Sequence, residues 1–212
     1  MKIRYLGHSC FEFTTERGVK VVTDPYTKVG YELDAGLTAD VLTVSHSHFD
    51  HNYTQAVDCK LVLTDAGAQS IHGIEFLGVN SYHDSKRGAL RGKNVIFKMK
   101  LDGITVCHMG DIGEECTKEM VEKIGKIDVL LIPVGGTYTV DALGAKKYAD
   151  ALQPKVIIPM HYKPEDGALD IDGIETFLKQ YPAQQIKCIE NGVTELDKQT
   201  SGIIYMKRVK NV

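Results

Sequence analysis

Short apolar runs punctuated by glycine and proline recur along this chain. Lys2 to Leu6, Cys10 to Thr14 and Val19 to Thr23 are apolar-rich stretches parted by turns at Gly7 and Gly18, which predicts three short strands. Val41-Leu42-Thr43-Val44-Ser45 is apolar and β-branched up to its final serine and predicts a buried strand. A short helix near Asn52 to Val57, a strand Leu61 to Leu63, a helix Asp65 to Ile71 and a strand Ile74 to Asn80 follow. Asn94 to Lys100 and Ile104 to Cys107 flank Asp102-Gly103, a hairpin signature.

In the second half the period lengthens. Met120, Val121 and Ile124 share one face between a Thr117 cap and a Gly125 stop, and Ala142, Ala145, Ala149 and Leu152 form a helical stripe ended by Pro154. Ile174, Phe177, Leu178 and Tyr181 mark a last helix before Pro182. Between and after them Asp128 to Ile132, Lys155 to Pro159, Ile186 to Ile189 and Ile203 to Met206 read as strands. Alternating strands and helices predict an α/β protein with two sheets sandwiched between helices. The absence of a linker-like stretch or short-period repeat makes 1–212 one domain by expectation.

Chemistry enters directly after the Val41 strand. His46, His48, Asp50 and His51 fall within six positions, although the whole chain has only 8 His. Imidazole nitrogen and carboxylate oxygen are the donors that a divalent ion such as zinc takes from protein. His46 and His48 point to one side while the chain stays extended. Asp50 and His51, where the chain must turn, can face a second ion. Asp24, His46, His83, Asp111 and His161 each lie within a few residues of the C-terminal end of an expected strand, where ligands collect in layered α/β proteins. His72 competes with His83, but it precedes the strand that His83 follows. His8 in Gly7-His8-Ser9 and Asp24 in Asp24-Pro25 also suit plain turn residues.

Composition narrows the setting. A net charge of −3 and a sequence pI near 6.2 argue against a nucleic-acid footprint over the surface. No apolar run suits a signal peptide or a membrane span. Five cysteines without a C-x-x-C pair read as reduced thiols, so a cytoplasmic location is expected. Oligomeric state is not legible.

His46-Ser47-His48-Phe49-Asp50-His51 resembles the H-x-H-x-D-H motif of the metallo-β-lactamase superfamily. Gly110-Asp111 and His161 resemble its downstream ligand positions, and Asp24 its strand-end aspartate. Pro133 to Thr139 and Ile158 to Tyr162 are similar to the small hydrolase branch that includes ascorbate-6-phosphate lactonase. That resemblance implies an αββα sandwich of two mixed sheets and two divalent metal ions, zinc foremost, with manganese or iron as alternatives. It places His46, His48 and His83 on one ion, Asp50, His51 and His161 on the other, and Asp111 between them. Asp50 would also orient the attacking hydroxide and relay its proton, while His8 and Asp24 would fix ligand orientation from behind. True β-lactamases of the superfamily carry cysteine where Asp111 stands, so antibiotic hydrolysis is not expected.

The implied function is hydrolysis of a small anionic ester, a phosphorylated lactone or a phosphodiester. Lys86, Arg87, Arg91 and Lys93 after His83, with Lys163 beyond His161, would attract such a substrate, or form ordinary solvated surface. Thioester hydrolysis of the glyoxalase II kind shares the ligands but goes with an added helical domain. Two alternatives of other classes share the fold. A di-iron oxidoreductase usually has Glu at the position of His48 and brings a flavin domain; a non-catalytic metal-binding protein would keep the ligands without an open site.

Overall fold

In the computed structural model, residues 1–209 are described. Strands β1 (Lys2–Gly7), β2 (Cys10–Thr14), β3 (Lys20–Thr23), β4 (Leu37–Thr38), β5 (Val41–Thr43), β6 (Val57–Asp58) and β7 (Val62–Leu63) come first. Next are β8 (Gly67–Ile71), β9 (Ile74–Tyr82), β10 (Lys93–Leu101) and β11 (Ile104–His108). Helix α1 (Lys118–Ile124), β12 (Val129–Pro133), helix α2 (Ala142–Leu152), β13 (Val156–Met160) and helix α3 (Glu175–Leu178) follow. Strands β14 (Ile186–Ile189), β15 (Val193–Glu195) and β16 (Gly202–Met206) come last.

Two sheets face each other. The first runs β15-β1-β2-β3-β5-β7 and the second β14-β16-β13-β12-β11-β10-β9-β8, both mixing parallel and antiparallel pairs; β4 and β6 make a separate ladder. Alternation along the strands splits their apolar residues between two cores. Val21 and Val41 join Phe11, Phe13, Phe97, Met99 and Leu131 between the sheets, whereas their neighbours Val22 and Leu42 join Leu6, Cys10 and Tyr26 on the outer face of the first sheet. Burial on both faces explains the unbroken apolar run at Val41. Helices α1 and α2 start where the sequence signals: Thr117 Oγ1 accepts from Met120 N–H at 3.2 Å, and Asp141 Oδ1 from Gly144 N–H at 2.8 Å.

Three expected helices change. Over 52–57 only a single 3-10 turn forms (Thr54–Ala56), and Val57 continues extended to pair with Leu37. Residues 65–71 contribute β8, because they carry no apolar helical stripe and the His72-Gly73 turn folds them onto β9 with Ile71 opposite Ile74. The last helix shortens to Glu175–Leu178, with Phe177 buried. The outer face of the first sheet is therefore covered by chain segments around β4 and β6 rather than by a helix. Among the described residues no helix is long and apolar enough to cross a membrane.

β1, β3, β5, β9, β11 and β13 all present their C-terminal ends at one rim. Backbone bonds tie the sheets together there: His161 N–H donates to His8 carbonyl at 2.9 Å, and Val95 N–H to Ser45 carbonyl at 2.9 Å.

Candidate metal centre

Every strand ending at this rim delivers a polar side chain. β1 gives His8, β3 Asp24, β5 the segment Ser45 to His51, β9 His83, β11 Asp111 and β13 His161. His8, Asp24 and His161 all adopt positive φ, 54°, 40° and 51°, a left-handed conformation that costs non-glycine residues energy and that supporting contacts must enforce. Two glycines let the strand ends close in. A Cβ on Gly110, itself at φ 54°, would lie 2.3 Å from Asn94 Oδ1 and 2.6 Å from Ser45 Cβ; one on Gly135 would lie 2.3 Å from the His161 carbonyl oxygen. Asn94 fills the space that Gly110 leaves, accepting from Asp111 N–H at 2.9 Å and donating to Met109 carbonyl at 2.9 Å.

The donors form three overlapping groups: His46, His48 and His83; His8, Asp50, His51 and His161; and His46, His51 and Asp111. Asp111 sits where they meet. Its Oδ2 is 3.1 Å from His83 Nε2 and 3.2 Å from His161 Nε2, and its Oδ1 is 3.1 Å from His51 Nε2. One carboxylate thus reaches histidines of both expected ligand sets.

Hydrogen bonds behind the rings set which nitrogen faces inward. Ser45 Oγ donates to Asp24 Oδ2 at 2.6 Å, so it accepts from His46 Nδ1–H at 2.9 Å. His51 Nδ1–H donates to Asp24 Oδ2 at 2.8 Å, and His83 Nδ1–H to Tyr138 carbonyl at 3.0 Å. All three rings are therefore turned with Nε2 toward the centre. Asp24 holds His51 directly and His46 through Ser45. His8 stands behind Asp50: its Nε2 lies 3.3 Å from Asp50 Oδ2, and its backbone is held by Tyr5 and Tyr31 hydroxyls, each at 3.0 Å.

Charge shows what the cluster lacks. Burial, then the charge of His161, brings His8 down to about 4; burial, then His51, brings His46 to about 3. Both rings are neutral near pH 7, the state that ligates metal. Burial opposes ionisation of Asp111, yet His161 and His51 hold its pKa far below the carboxylate range. Burial likewise opposes charge on His51, but Asp111 and Asp24 outweigh it and raise its pKa well above normal. Without metal, a proton on His51 compensates the buried carboxylates. His46 Nε2 and His161 Nδ1 are buried with no hydrogen-bond partner, while His51 Nε2 and His161 Nε2 meet only the Asp111 carboxylate, at 3.1 and 3.2 Å. Buried polar atoms are rarely left so, and neutral imidazole plus carboxylate is the donor set of zinc and similar ions. The residues fit divalent metal.

Metal loading should consequently release protons. An ion cannot share His51 Nε2 with a proton, so at pH 7 on the order of one proton should leave per chain. Apparent affinity should fall as pH drops, because His51 stays protonated below its raised pKa. Calorimetry of zinc binding in buffers of different ionisation enthalpy measures the release; a buffer-independent heat would refute it.

The remaining sequence candidates separate. A cavity of ≈ 300 Å³ opens beside the donors, lined by His48, Phe49, Asp50, His83, Arg91, Asp111, Tyr138 and Leu169. Arg91 is in its wall, whereas Arg87 and Lys163 are exposed and outside its lining. Arg87 lies at an outward turn with φ 55°, its charge acting on Glu114 and Glu119. Lys163 follows β13 by two residues beyond His161, whose left-handed φ breaks the strand alternation that would have aimed both inward. His72 occupies the β8–β9 turn and is in none of the donor groups. His108, which sequence reasoning passed over, is buried with Nε2 2.8 Å from Ser9 carbonyl oxygen and Nδ1 3.9 Å from Asp24 Oδ2. Its signal was its place on the strand that leads to Asp111.

Comparison with known proteins agrees with this geometry. The model of the beta-lactamase superfamily domain matches residues 2–161. A solved structure from Thermotoga maritima, described as a candidate zinc-dependent hydrolase of the metallo-beta-lactamase superfamily, superposes with TM-score 0.80 at 38% identity, covering 97% of each chain. A UPF0173 metal-dependent hydrolase of Thermococcus kodakarensis is 28% identical over 192 residues, 76% of this chain and 84% of the relative. Another, from Methanospirillum hungatei, is 30% identical over 190 residues, 78% and 84% respectively.

Proposed function

We propose that this chain, which belongs to the beta-lactamase superfamily, is a dinuclear metal-dependent hydrolase of small anionic esters. The observation that carries the proposal is Asp111, within 3.2 Å of His83 and His161 and 3.1 Å of His51. His46, His48 and His83 would hold one ion and Asp50, His51 and His161 the other, Asp111 serving both. Bound there, divalent ions supply Lewis acidity and a water that ionises near neutral pH.

The chain's own residues then have distinct tasks. Asp50 lines the cavity, with Oδ2 beside the Nε2–H of neutral His8. Its carboxylate would orient the attacking water and take its proton, and His8 would keep that carboxylate in place. Asp24, through His51 and Ser45, prevents rotation of the rings. A lactone or a phosphodiester fits as the reacting group, since both develop negative charge on oxygen during attack. The expected phosphate-clamping role of the basic loop rests on Arg91 alone.

Two results are expected of purified, metal-replete protein. Metal analysis should find two ions per chain, fewer in His48→Ala. A generic phosphodiester or a lactone should be hydrolysed while penicillins and cephalosporins are not. A clean single ion in the wild type overturns the dinuclear reading, and oxygen consumption by an iron-loaded sample would favour an oxidoreductase.

A further inference from the structure

The cavity has a second half that the metal donors do not use. Phe49, Tyr138 and Leu169 form its apolar side, with Phe49 51% and Tyr138 37% exposed. Large apolar side chains left open around a concave site beside a catalytic centre are what a ligand's apolar part covers. The carboxylates in the wall, Asp50 and Asp111, belong to the donor cluster. Arg91 is the one arginine or lysine among the described residues of the lining.

Arg91 is held there by construction. The Asp84 carboxylate accepts four backbone N–H bonds, from Lys86 at 2.7 Å, Gly88 at 3.0 Å, Leu90 at 3.0 Å and Arg91 itself at 2.8 Å. His83 N–H donates to Gly92 carbonyl at 3.1 Å, closing the loop onto the donor-bearing strand end. The guanidinium lies 5.4 Å over the Tyr138 ring, a cation–π distance. The carbonyl of the same tyrosine orients His83, so the charge and the donor cluster share one support. Among the described residues no ion pair joins Arg91 to a carboxylate, which leaves its planar fork for a ligand.

We propose that Arg91 binds a single carboxylate on the non-reacting part of the substrate, with Asp84 and Tyr138 as positioning residues. The substrate class is then a small ester or lactone whose apolar, ring-like body carries one carboxylate. This rests on the hydrolase reading and narrows it. One guanidinium matches one carboxylate in a bidentate pair. A pendant phosphate dianion would call on further cations, and Arg87 and Lys163 stand outside the cavity. A polar sugar would leave Phe49, Tyr138 and Leu169 uncovered.

The test separates binding from turnover. Zinc-loaded wild type and Arg91→Ala are titrated with 3-phenylpropionate and 3-phenylpropanamide. The carboxylate should bind wild type about tenfold more tightly than the variant, the amide equally to both. Arg91→Lys should recover part of the loss, and Asp84→Asn should weaken carboxylate binding with metal content unchanged. In kinetics, Arg91→Ala should raise KM about tenfold for a phenyl-substituted lactone bearing a carboxylate and leave kcat nearly unchanged, sparing the neutral lactone. Equal carboxylate binding by wild type and Arg91→Ala overturns the proposal even if esters are hydrolysed. Tenfold preference for the phosphate-bearing lactone over the carboxylate-bearing one overturns it too. If no ester is hydrolysed while Arg91-dependent carboxylate binding holds, the hydrolase reading fails and this site stands.

Discussion

Asp111→Cys should leave a folded protein that holds one ion and hydrolyses its substrate about a thousandfold more slowly. A carboxylate has two oxygens, and both are in use here, Oδ2 toward His83 and His161 and Oδ1 toward His51. A thiolate has one donor atom and sits closer to its own backbone. Its sulfur, drawn back toward the backbone, would reach one histidine group and not the other. A metal contributes several kcal/mol of transition-state charge stabilisation, and about 4 kcal/mol corresponds to the thousandfold loss at 1.36 kcal/mol per factor of ten. Metal analysis and kcat/KM are measured together. Two ions and undiminished turnover in the variant would show that Asp111 does not bridge.

Chelation should lower the melting temperature sharply while unfolding remains cooperative. An ion that binds only the native state at a thousandfold excess over Kd stabilises it by about 4 kcal/mol. At about 2–4 °C per kcal/mol for a chain of this size, each ion is worth roughly 8–16 °C. The cluster adds a reason of its own: Asp24 and Asp111 are buried carboxylates that, without metal, rely on protonated histidine for compensation. The fold should nevertheless survive, because the intersheet core around Phe11, Phe13, Phe97 and Met99 is independent of the donors. This is unlike small zinc domains, which are unfolded without metal. Scanning calorimetry with and without chelator measures the shift. An unchanged midpoint would mean that the donors do not hold metal in the native state.

The elements the sequence predicted correctly are those that local signals specify. Thr117 and Gly125 bound α1 because a cap and a stop act within a turn of the helix. Val41 to Thr43 was legible as buried because neighbouring positions face opposite sides of the first sheet and both sides are covered. His46, His48, Asp50 and His51 were legible as a cluster because a chain of six residues cannot carry them far apart. The strand-end rule brought Asp24, His83, Asp111 and His161 to the same rim.

Long-range packing decided the rest. β8 is a strand because β9 offers it a partner across the His72-Gly73 turn, a cooperative choice that weak local propensity in 65–71 could not announce. His8 lies beside Asp50 because β1 runs parallel to β3 with β2 between them, which places its C-terminal end on the shared rim. Of the basic residues after His83, only Arg91 enters the cavity, since Asp84 gathers four backbone N–H groups and fixes which way each side chain of that loop leaves it. Sequence alone therefore determined which atoms could bind metal, because donor chemistry and strand-end position are local properties. Tertiary structure decided which of them meet on Asp111 and which charge faces the cavity, because strand order and loop closure are set by contacts between residues far apart in the chain.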